Sequence, residues 1–243
     1  MLKTSASVCT ILFFIFIFYA VGLPAKSTKN QNNNAPVVKI NLPANNDEIA
    51  AGTQIHYSIA VSDKEDGDSR YDEINPKEVL LEVRYNSAGS TPKGELNKNM
   101  VDDPQGLTAL RTSNCFNCHG FDTKVIGPTF SDINKRYKLT AANMALLAKR
   151  IREGSKGVWG DVAMPSHPEL SNVQIDNMVK WITQNATQNG VHYYIGTQGI
   201  LSLKEIPAKP KVESLTLTAS YTDHGVNNKD RLKGQDVILI QVK

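Results

Sequence analysis

The sequence predicts a multidomain protein in which an all-α domain is inserted in, or flanked by, a β-sandwich. Three observations lead to this expectation. Two outer stretches of the 243-residue chain alternate apolar and polar residues, as half-buried strands do. The stretch between them, residues 104–187, repeats its apolar residues at helical spacing. A short, strongly apolar amino-terminal segment precedes both and fits neither pattern.

Residues 1–22 are typical of a secretory signal peptide. A basic residue near the start precedes an apolar run at 11–23, and we expect cleavage after Gly22. The alternative is an uncleaved membrane anchor, but the run is shorter than the about 20 residues that a spanning helix needs. Residues 23–35 are mostly Lys, Asn, Gln, Ser and Thr, which predicts a flexible linker. We therefore expect a periplasmic or secreted protein that contacts a membrane only if the signal stays uncleaved.

Each β flank supplies about half of a sandwich. Residues 36–98 and residues 190–243 each contain about three strand patterns separated by turn signals. A sandwich has about seven strands, so neither flank alone could bury both faces of a sheet. We expect one sandwich that is interrupted by the segment 104–187, and two small separate β units are the alternative.

Charge and cysteine content exclude several classes. A formal net charge of +3 is too small for a nucleic-acid binder, so we expect no such partner. Three cysteines are too few for a scaffold built from disulfides. One turn is crowded with acidic residues, and we interpret it as solvated rather than as a Ca²⁺ site because its spacing lacks a complete calcium loop. The acidic residues of this turn are Asp63, Glu65, Asp66 and Asp68.

The segment from Cys115 to His119 carries the pattern Cys-x-x-Cys-His. Two thiols at this spacing can add to the two vinyl groups of a haem, and the adjacent histidine can then coordinate the iron from one face. Three alternatives fit less well. A thioredoxin-type motif would follow a strand, a zinc site would need a second ligand pair, and a plain disulfide would not require the histidine.

A second iron ligand is sought among the downstream methionines and histidines. Met164 lies in a loop rich in Gly and Pro, 45 residues after His119, which could bring its thioether onto the other haem face. Met144 and Met178 lie in helical patterns and are expected to be core residues. We expect His167, which precedes a proline, to be a surface loop residue.

Residues 104–187 resemble a small class I c-type cytochrome of the bacterial periplasmic c551/c552-like kind. The resemblance rests on a helix before the Cys-x-x-Cys-His motif, on Val-Ile-Gly-Pro-Thr-Phe, on Gly-Val-Trp-Gly with Met-Pro, and on a closing helix that ends in Val-Lys-Trp-Ile. It implies that His119 is the proximal ligand, that Met164 is the distal one, and that the carbonyl of Pro128 binds the other ring nitrogen of His119. Trp159 would pack near a haem edge or propionate, with a core aromatic as the alternative.

The flanks resemble the opening and closing strands of an Ig-like domain of the PKD kind. The whole chain is therefore expected to be an exported carrier of single electrons, not an enzyme, with one covalent haem c per chain. A periplasmic dehydrogenase or an oxidase is the partner that the resemblance implies. The alternatives are a haem sensor or peroxidase whose Met164 dissociates, and a surface-binding β-sandwich in which the haem is accessory.

Overall fold

The computed structural model describes residues 32–87, 102–188, 190–203, 211–226 and 231–243. The predicted signal peptide, and all but the end of the predicted linker, lie outside these residues. In the described part of the chain, no helix is both long enough and apolar enough to cross a membrane.

Strands occupy both flanks and helices occupy the middle. The strands are β1 (Val37–Leu42), β2 (Glu48–Ile49), β3 (Gln54–Asp63), β4 (Gly67–Asp68), β5 (Leu80–Ser87), β6 (Val191–Ile195), β7 (Gln198–Ser202), β8 (Val212–Thr222) and β9 (Lys233–Val242). The helices are α1 (Gln105–Thr112), α2 (Phe130–Arg136), α3 (Ala141–Glu153) and α4 (Asn172–Asn185). Short 3₁₀ turns lie at Ser69–Tyr71, Pro76–Glu78 and Cys115–Asn117.

Strands from the two flanks pair within the same sheets. In the four-stranded sheet, β3 pairs antiparallel with β1, β4 and β7. In the five-stranded sheet, the order is β2-β9-β8-β5-β6, so β5 of the first flank lies between two strands of the second flank. Its register places Leu81 opposite Ala219 of β8 and opposite Tyr194 of β6. The helical segment leaves the sheet after β5 and returns at β6, the strand beside it.

One apolar core lies between the sheets. Val38, Ile59 and Leu201 of the four-stranded sheet belong to the same buried cluster as Leu217 and Ile240 of the five-stranded sheet. Each of these residues stands on a strand whose side chains alternate between two faces, so the opposite face of each strand is left for solvent or for another layer.

Three of the four helices, α2, α3 and α4, begin at a side-chain cap. Ser171 accepts a hydrogen bond from the N–H of Gln174, and the side chain of Gln174 returns a bond to the Ser171 N–H, which makes a capping box at the start of α4. Thr140 caps α3 with its side chain, which accepts the N–H of Asn143 at 3.2 Å. The helix α3, which contains the helical pattern around Met144, therefore begins at Ala141.

The helix α2 was absent from the sequence expectations. Thr129 accepts the N–H of Asp132 at 3.0 Å, and Lys135 and Arg136 stand in the last turn. A Thr cap with an acidic first turn and a basic last turn is a usual helix signal. With only seven residues, however, the segment shows too little periodicity to be recognised.

The helices build a second core around the crossing of α1 and α4. Leu107 and Leu110 of α1 are buried with Val179 and Ile182 of α4. Gly106 makes this approach possible, since a Cβ built at its position would lie only 2.3 Å from the backbone oxygen of Asn177. A larger residue could not occupy this position unless the helices separated.

The outer face of β5 and β6 packs against this helical core. Leu80 belongs to the helical cluster, whereas its neighbour Leu81 belongs to the core between the sheets. Tyr193 of β6 lies 4.9 Å from the ring of Phe121 and 5.6 Å from that of Trp181, measured between centroids. The helical segment is thus packed on the sheet rather than tethered beside it.

A buried ionic network joins the same two parts. Arg111 of α1 forms a salt bridge with Asp103 at 2.7 Å and donates to the hydroxyl and the carbonyl of Ser220 on β8 at 3.0 and 3.1 Å. Asp103 also binds Lys233 of β9 at 2.6 Å. The contacts of this network therefore fix the helical segment to two strands of the five-stranded sheet.

The acidic turn is more structured than a solvated loop. Asp63 is buried and accepts the N–H groups of Glu65 and Asp66 at 2.8 and 2.7 Å. The end of the predicted linker also binds here, because Asn34 donates to Glu65 at 2.6 Å. Asn33 likewise donates to Asp223 at 2.8 Å. Residues 33 and 34 are therefore held against the β unit instead of being free.

His224 closes this region by binding two carboxylates. Its Nε2 lies 3.1 Å from Glu78, and its Nδ1 lies 3.2 Å from Asp66. Partial burial acts to lower the pKa of His224, but the hydrogen bond to Glu78 and the charges of Glu78 and Asp66 outweigh it, so the pKa is raised.

Candidate haem site

The Cys-x-x-Cys-His segment folds into a tight turn. Asn114 has a left-handed backbone with φ 58°, which directs the chain into the 3₁₀ turn at Cys115. The carbonyl of Cys115 then accepts the N–H groups of Cys118 at 3.2 Å and His119 at 3.0 Å. As a result both thiols and the imidazole line one cavity.

Three neighbours fix the imidazole of His119. Its Nδ1 lies 2.7 Å from the carbonyl oxygen of Pro128, which only accepts, so Nδ1 carries the proton and Nε2 keeps its lone pair. Phe130 stacks on the ring at a centroid distance of 5.5 Å. Gly127 leaves room for it, since a Cβ there would lie 2.7 Å from His119 Cε1. Residues 119–130 therefore hold the imidazole ring in one orientation.

The pKa of His119 is lowered. Burial is the largest cause, and the charge of nearby His167 lowers the pKa further, against the opposing effect of the bond to Pro128. A neutral imidazole with a free Nε2 is the form that binds a metal.

Met164 lies on a loop anchored to the end of α3. Met164 and Ser155 form an isolated antiparallel bridge with N···O distances of 2.8 and 3.1 Å. The turn into this loop uses Gly154 at φ +83°, and a Cβ there would lie 2.8 Å from the Met164 carbonyl oxygen. The bridge positions Met164 in the wall of the same cavity as His119.

The cavity has a volume of about 390 Å³ and a mainly apolar lining. Leu147 and Ile151 of α3 and Met178 of α4 contribute to its walls. Met178 is also fully buried and Met144 is partly buried against the helical core, so both methionines are core residues as predicted. Cationic side chains complete the lining at Lys124, Arg150 and Lys156.

Trp159 lies in the cavity wall and not in the core. Its side chain is 39% exposed, and the guanidinium of Arg136 lies 4.7 Å from its ring centroid. Tyr137 contacts it edge-on at 6.5 Å. The interpretation as a core aromatic is therefore wrong, and a position at the edge of the cavity is what the structure shows.

The alternatives to a haem motif find no support in the geometry. Burial raises the pKa of the Cys115 thiol to about 12, whereas redox-active Cys-x-x-Cys thiols have lowered pKa values. Neither Cys115 nor Cys118 forms a disulfide. Across the described ranges, no group of three or more His, Cys, Asp or Glu side chains is placed to hold a metal ion, as a zinc site would require.

Comparisons with known proteins agree with this geometry. The family model described as cytochrome c matches residues 105–186. Cytochrome c-551 of Pseudomonas aeruginosa is 36% identical over 82 residues, which cover 34% of this chain and 76% of that protein. The chain belongs to the cytochrome c family. Cytochrome c-551 of Azotobacter vinelandii is 32% identical over 77 residues, which cover 32% of this chain and 93% of that protein.

One solved structure is similar to part of this chain. The crystal structure of wild-type Nitrosomonas europaea cytochrome c552 aligns at 33% identity over 32% of this chain and 96% of that chain, with a TM-score of 0.31. The family model and the cytochrome c-551 relatives show that this domain is a class I c-type cytochrome.

The cofactor of this domain is covalent haem c. Cytochrome c homologues bind haem through a Cys-x-x-Cys-His sequence, which Cys115, Cys118 and His119 supply here. The residues fit the group: both thiols, a neutral imidazole and a thioether line one apolar cavity. When bound, haem supplies iron that cycles between the ferric and ferrous states, and the family consists of electron carriers.

Several contributors to the cytochrome site were missed or misplaced by the sequence reasoning. His167 was expected on the surface, yet its side chain is only 22% exposed and lines the cavity. The reason is that its N–H binds the carbonyl of Ile151 at 3.0 Å, which folds the loop onto α3. Gly127 and Phe130 could not be identified from the sequence, because they contact His119 only after the chain reverses direction. Arg150 lies three residues after Leu147 on the face of α3 that lines the cavity, so the helical period could have identified it.

Proposed function

We propose that this protein carries single electrons through a haem c whose axial ligands are His119 and Met164. The observation that carries the proposal is that both side chains line one cavity with the two attachment cysteines. A six-coordinate iron with His and Met ligands has no open position for a substrate, and Met ligation favours the reduced state.

The surroundings of each ligand support its proposed role. The bond from His119 Nδ1 to the Pro128 carbonyl fixes the ring and makes Nε2 a better electron donor to iron. The bridge between Met164 and Ser155 ties the loop to α3, so little conformational entropy is lost when the thioether binds. A carrier benefits from such rigidity because its ligands then stay in place in both oxidation states.

The charge of the cytochrome domain suggests the kind of partner. Residues 104–187 contain ten Lys and Arg against six Asp and Glu. Lys124 and Lys156 are exposed and line the cavity, as does the partly buried Arg150. Such a rim would attract an acidic surface and raise the association rate at low salt. We propose a dehydrogenase or an oxidase of the periplasm as the redox partner.

The outer segments extend this proposal. Residues 1–22 would direct export, with the mature protein in the periplasm or secreted. The flanks would form a single Ig-like sandwich interrupted by the cytochrome domain, an arrangement that the pairing of β5 with β6 and β8 supports. Joining the flanks through a short linker tests this idea. A joined pair that stays unfolded while each flank folds alone would contradict it.

Redox titration with carbon monoxide as a probe tests the carrier function. The purified holoprotein is expected to titrate as a single one-electron couple, and its ferrous form is expected not to bind carbon monoxide. Rapid formation of a carbon monoxide complex by the ferrous wild type would instead favour a sensor or peroxidase with an open iron. Retention of the haem-free flanks on a glycan column would favour a surface-binding module.

A further inference from the structure

A second histidine enters the haem cavity beside Met164. His167 follows Met164 by three residues on the same loop, lines the same cavity and is only 22% exposed. It lies close enough to His119 for its charge to act on that residue. The bond from its N–H to the Ile151 carbonyl keeps this part of the loop against α3.

The hydrogen bonding of His167 leaves one ring nitrogen available. Its Nδ1 lies 3.0 Å from Oε1 of Glu169. A carboxylate accepts, so Nδ1 carries a proton and Nε2 is the nitrogen left to coordinate a metal. Histidines that bind metals usually donate their other ring N–H to a carboxylate or a carbonyl in this way. His119 shows the same arrangement through Pro128, so both imidazoles in the cavity wall are prepared to coordinate through Nε2.

We propose that His167 is a reserve axial ligand, which coordinates the haem iron through Nε2 whenever the thioether of Met164 is lost. This inference rests on the proposed coordination by His119 and Met164. The exchange breaks one iron–sulfur bond and forms one iron–nitrogen bond. No electron is exchanged, and any proton carried by Nε2 is released to solvent as the iron–nitrogen bond forms.

The exchange would have two consequences for the protein. The iron would stay six-coordinate and closed to peroxide and to gases, so damage to Met164 would not turn the carrier into a peroxidase. Replacing a thioether by an imidazole would also lower the reduction potential, because Met ligation is what raises it in cytochromes c. Oxidation of Met164 to the sulfoxide by a peroxide is one event that would trigger the exchange.

Four holoproteins test the proposal: wild type, Met164→Ala, Met164→Ala/His167→Ala and Met164→Ala/His56→Ala. His56 is a matched control because it is exposed on β3 in the β unit. Ferric absorption and electron paramagnetic resonance report spin state and ligands, and carbon monoxide reports an open ferrous iron. Haem content and far-ultraviolet circular dichroism confirm that each variant is loaded and folded.

The expected results separate the inference from the proposed function. Met164→Ala and its His56 control should be low-spin with a bis-histidine spectrum, whereas the variant that also lacks His167 should be high-spin and bind carbon monoxide at least tenfold faster. A high-spin Met164→Ala protein that binds carbon monoxide as fast as the double variant would overturn the inference alone. A wild type without a methionine–iron band would overturn the proposed function.

A second substitution covers the case in which Met164→Ala does not retain haem. Met164→Gln preserves the length of the side chain and offers only a weak ligand, so the loop and its bridge to Ser155 are less disturbed. The same comparison with and without His167 is then made. A bis-histidine spectrum that disappears with His167→Ala supports the proposal, and one that is unaffected by that substitution contradicts it.

Discussion

Substitution of Arg111 by Met tests whether the cytochrome domain and the β unit are one energetic unit. The side chain of Arg111 is 3% exposed, donates across the junction to Ser220, and pairs with Asp103 just before α1. Met keeps most of the apolar stem, so packing is largely preserved while the charge and its hydrogen bonds are removed. The change therefore isolates the ionic network from the apolar contacts of Leu80 and Tyr193.

The expected loss can be worked out from the partners. Removing one member of a buried ion pair costs about 3–5 kcal/mol when the other charge is left alone. Asp103 keeps Lys233 at 2.6 Å, so it does not become an isolated charge. The interactions that are lost are one salt bridge and the hydrogen bonds to the hydroxyl and the buried carbonyl of Ser220. A hydrogen bond to a charged group contributes about 1.5–3 kcal/mol. We expect a loss of about 3 kcal/mol, at the lower end of the range for broken buried pairs.

Thermal and urea unfolding of the holoprotein measure this loss, with Arg84→Met as the control. Arg84 lies on β5, is 53% exposed and pairs with Glu82, so its removal should cost about 0–1 kcal/mol. For a chain of this size, a loss of about 3 kcal/mol lowers the melting temperature by about 6–12 °C. Equal effects of the two substitutions would refute the assignment of a stabilising role to the buried network.

Three further substitutions have defined outcomes. Gly106→Ala should lower the unfolding free energy by about 1–3 kcal/mol, because the added methyl group meets the backbone of α4. This loss should exceed the gain from the better helix propensity of Ala. Chemical denaturation measures the change, and a stabilised variant would contradict the prediction. Gly127→Ala should shift the haem absorption and the reduction potential, since the methyl displaces the ring of His119; unchanged values would show that the contact does not position the ligand. His224→Asn should lower the unfolding free energy by less than about 1 kcal/mol at pH 5 and by a smaller amount at pH 8. The pKa of His224 is raised in the folded state, so its charged form stabilises the protein below the unfolded pKa, and this contribution is lost as the pH rises. Denaturation at the two pH values measures the difference, and the opposite order would be a contradiction.

Three of the helices, α1, α3 and α4, and the attachment motif could be predicted from the sequence because their signals are local. The Cys-x-x-Cys-His spacing lies within five residues, and the apolar periods of α1, α3 and α4 extend over two to four turns. These features need no knowledge of distant chain segments. The family resemblance followed from the same local signals and is confirmed by the comparisons.

The features that could not be predicted depend on contacts between distant residues. The outward face of Leu80 meets the helices only because β5 and β6 are neighbours, although more than 100 residues separate them. His167 reads as a surface residue next to a proline until its N–H is seen to bind α3. Asn33 reads as linker until Asp223, 190 positions later, accepts its bond. Local composition carries no information about such pairs.

The ferric absorption spectrum of the wild-type holoprotein, compared with those of Met164→Ala and Met144→Ala, tests the central claim most directly. Coordination of ferric iron by a thioether gives a weak far-red charge-transfer band. We expect this band in the wild type and in Met144→Ala, whose methionine packs against the helical core, and we expect its loss in Met164→Ala. A band that survives in Met164→Ala, or that is missing from the wild type, would contradict coordination by Met164.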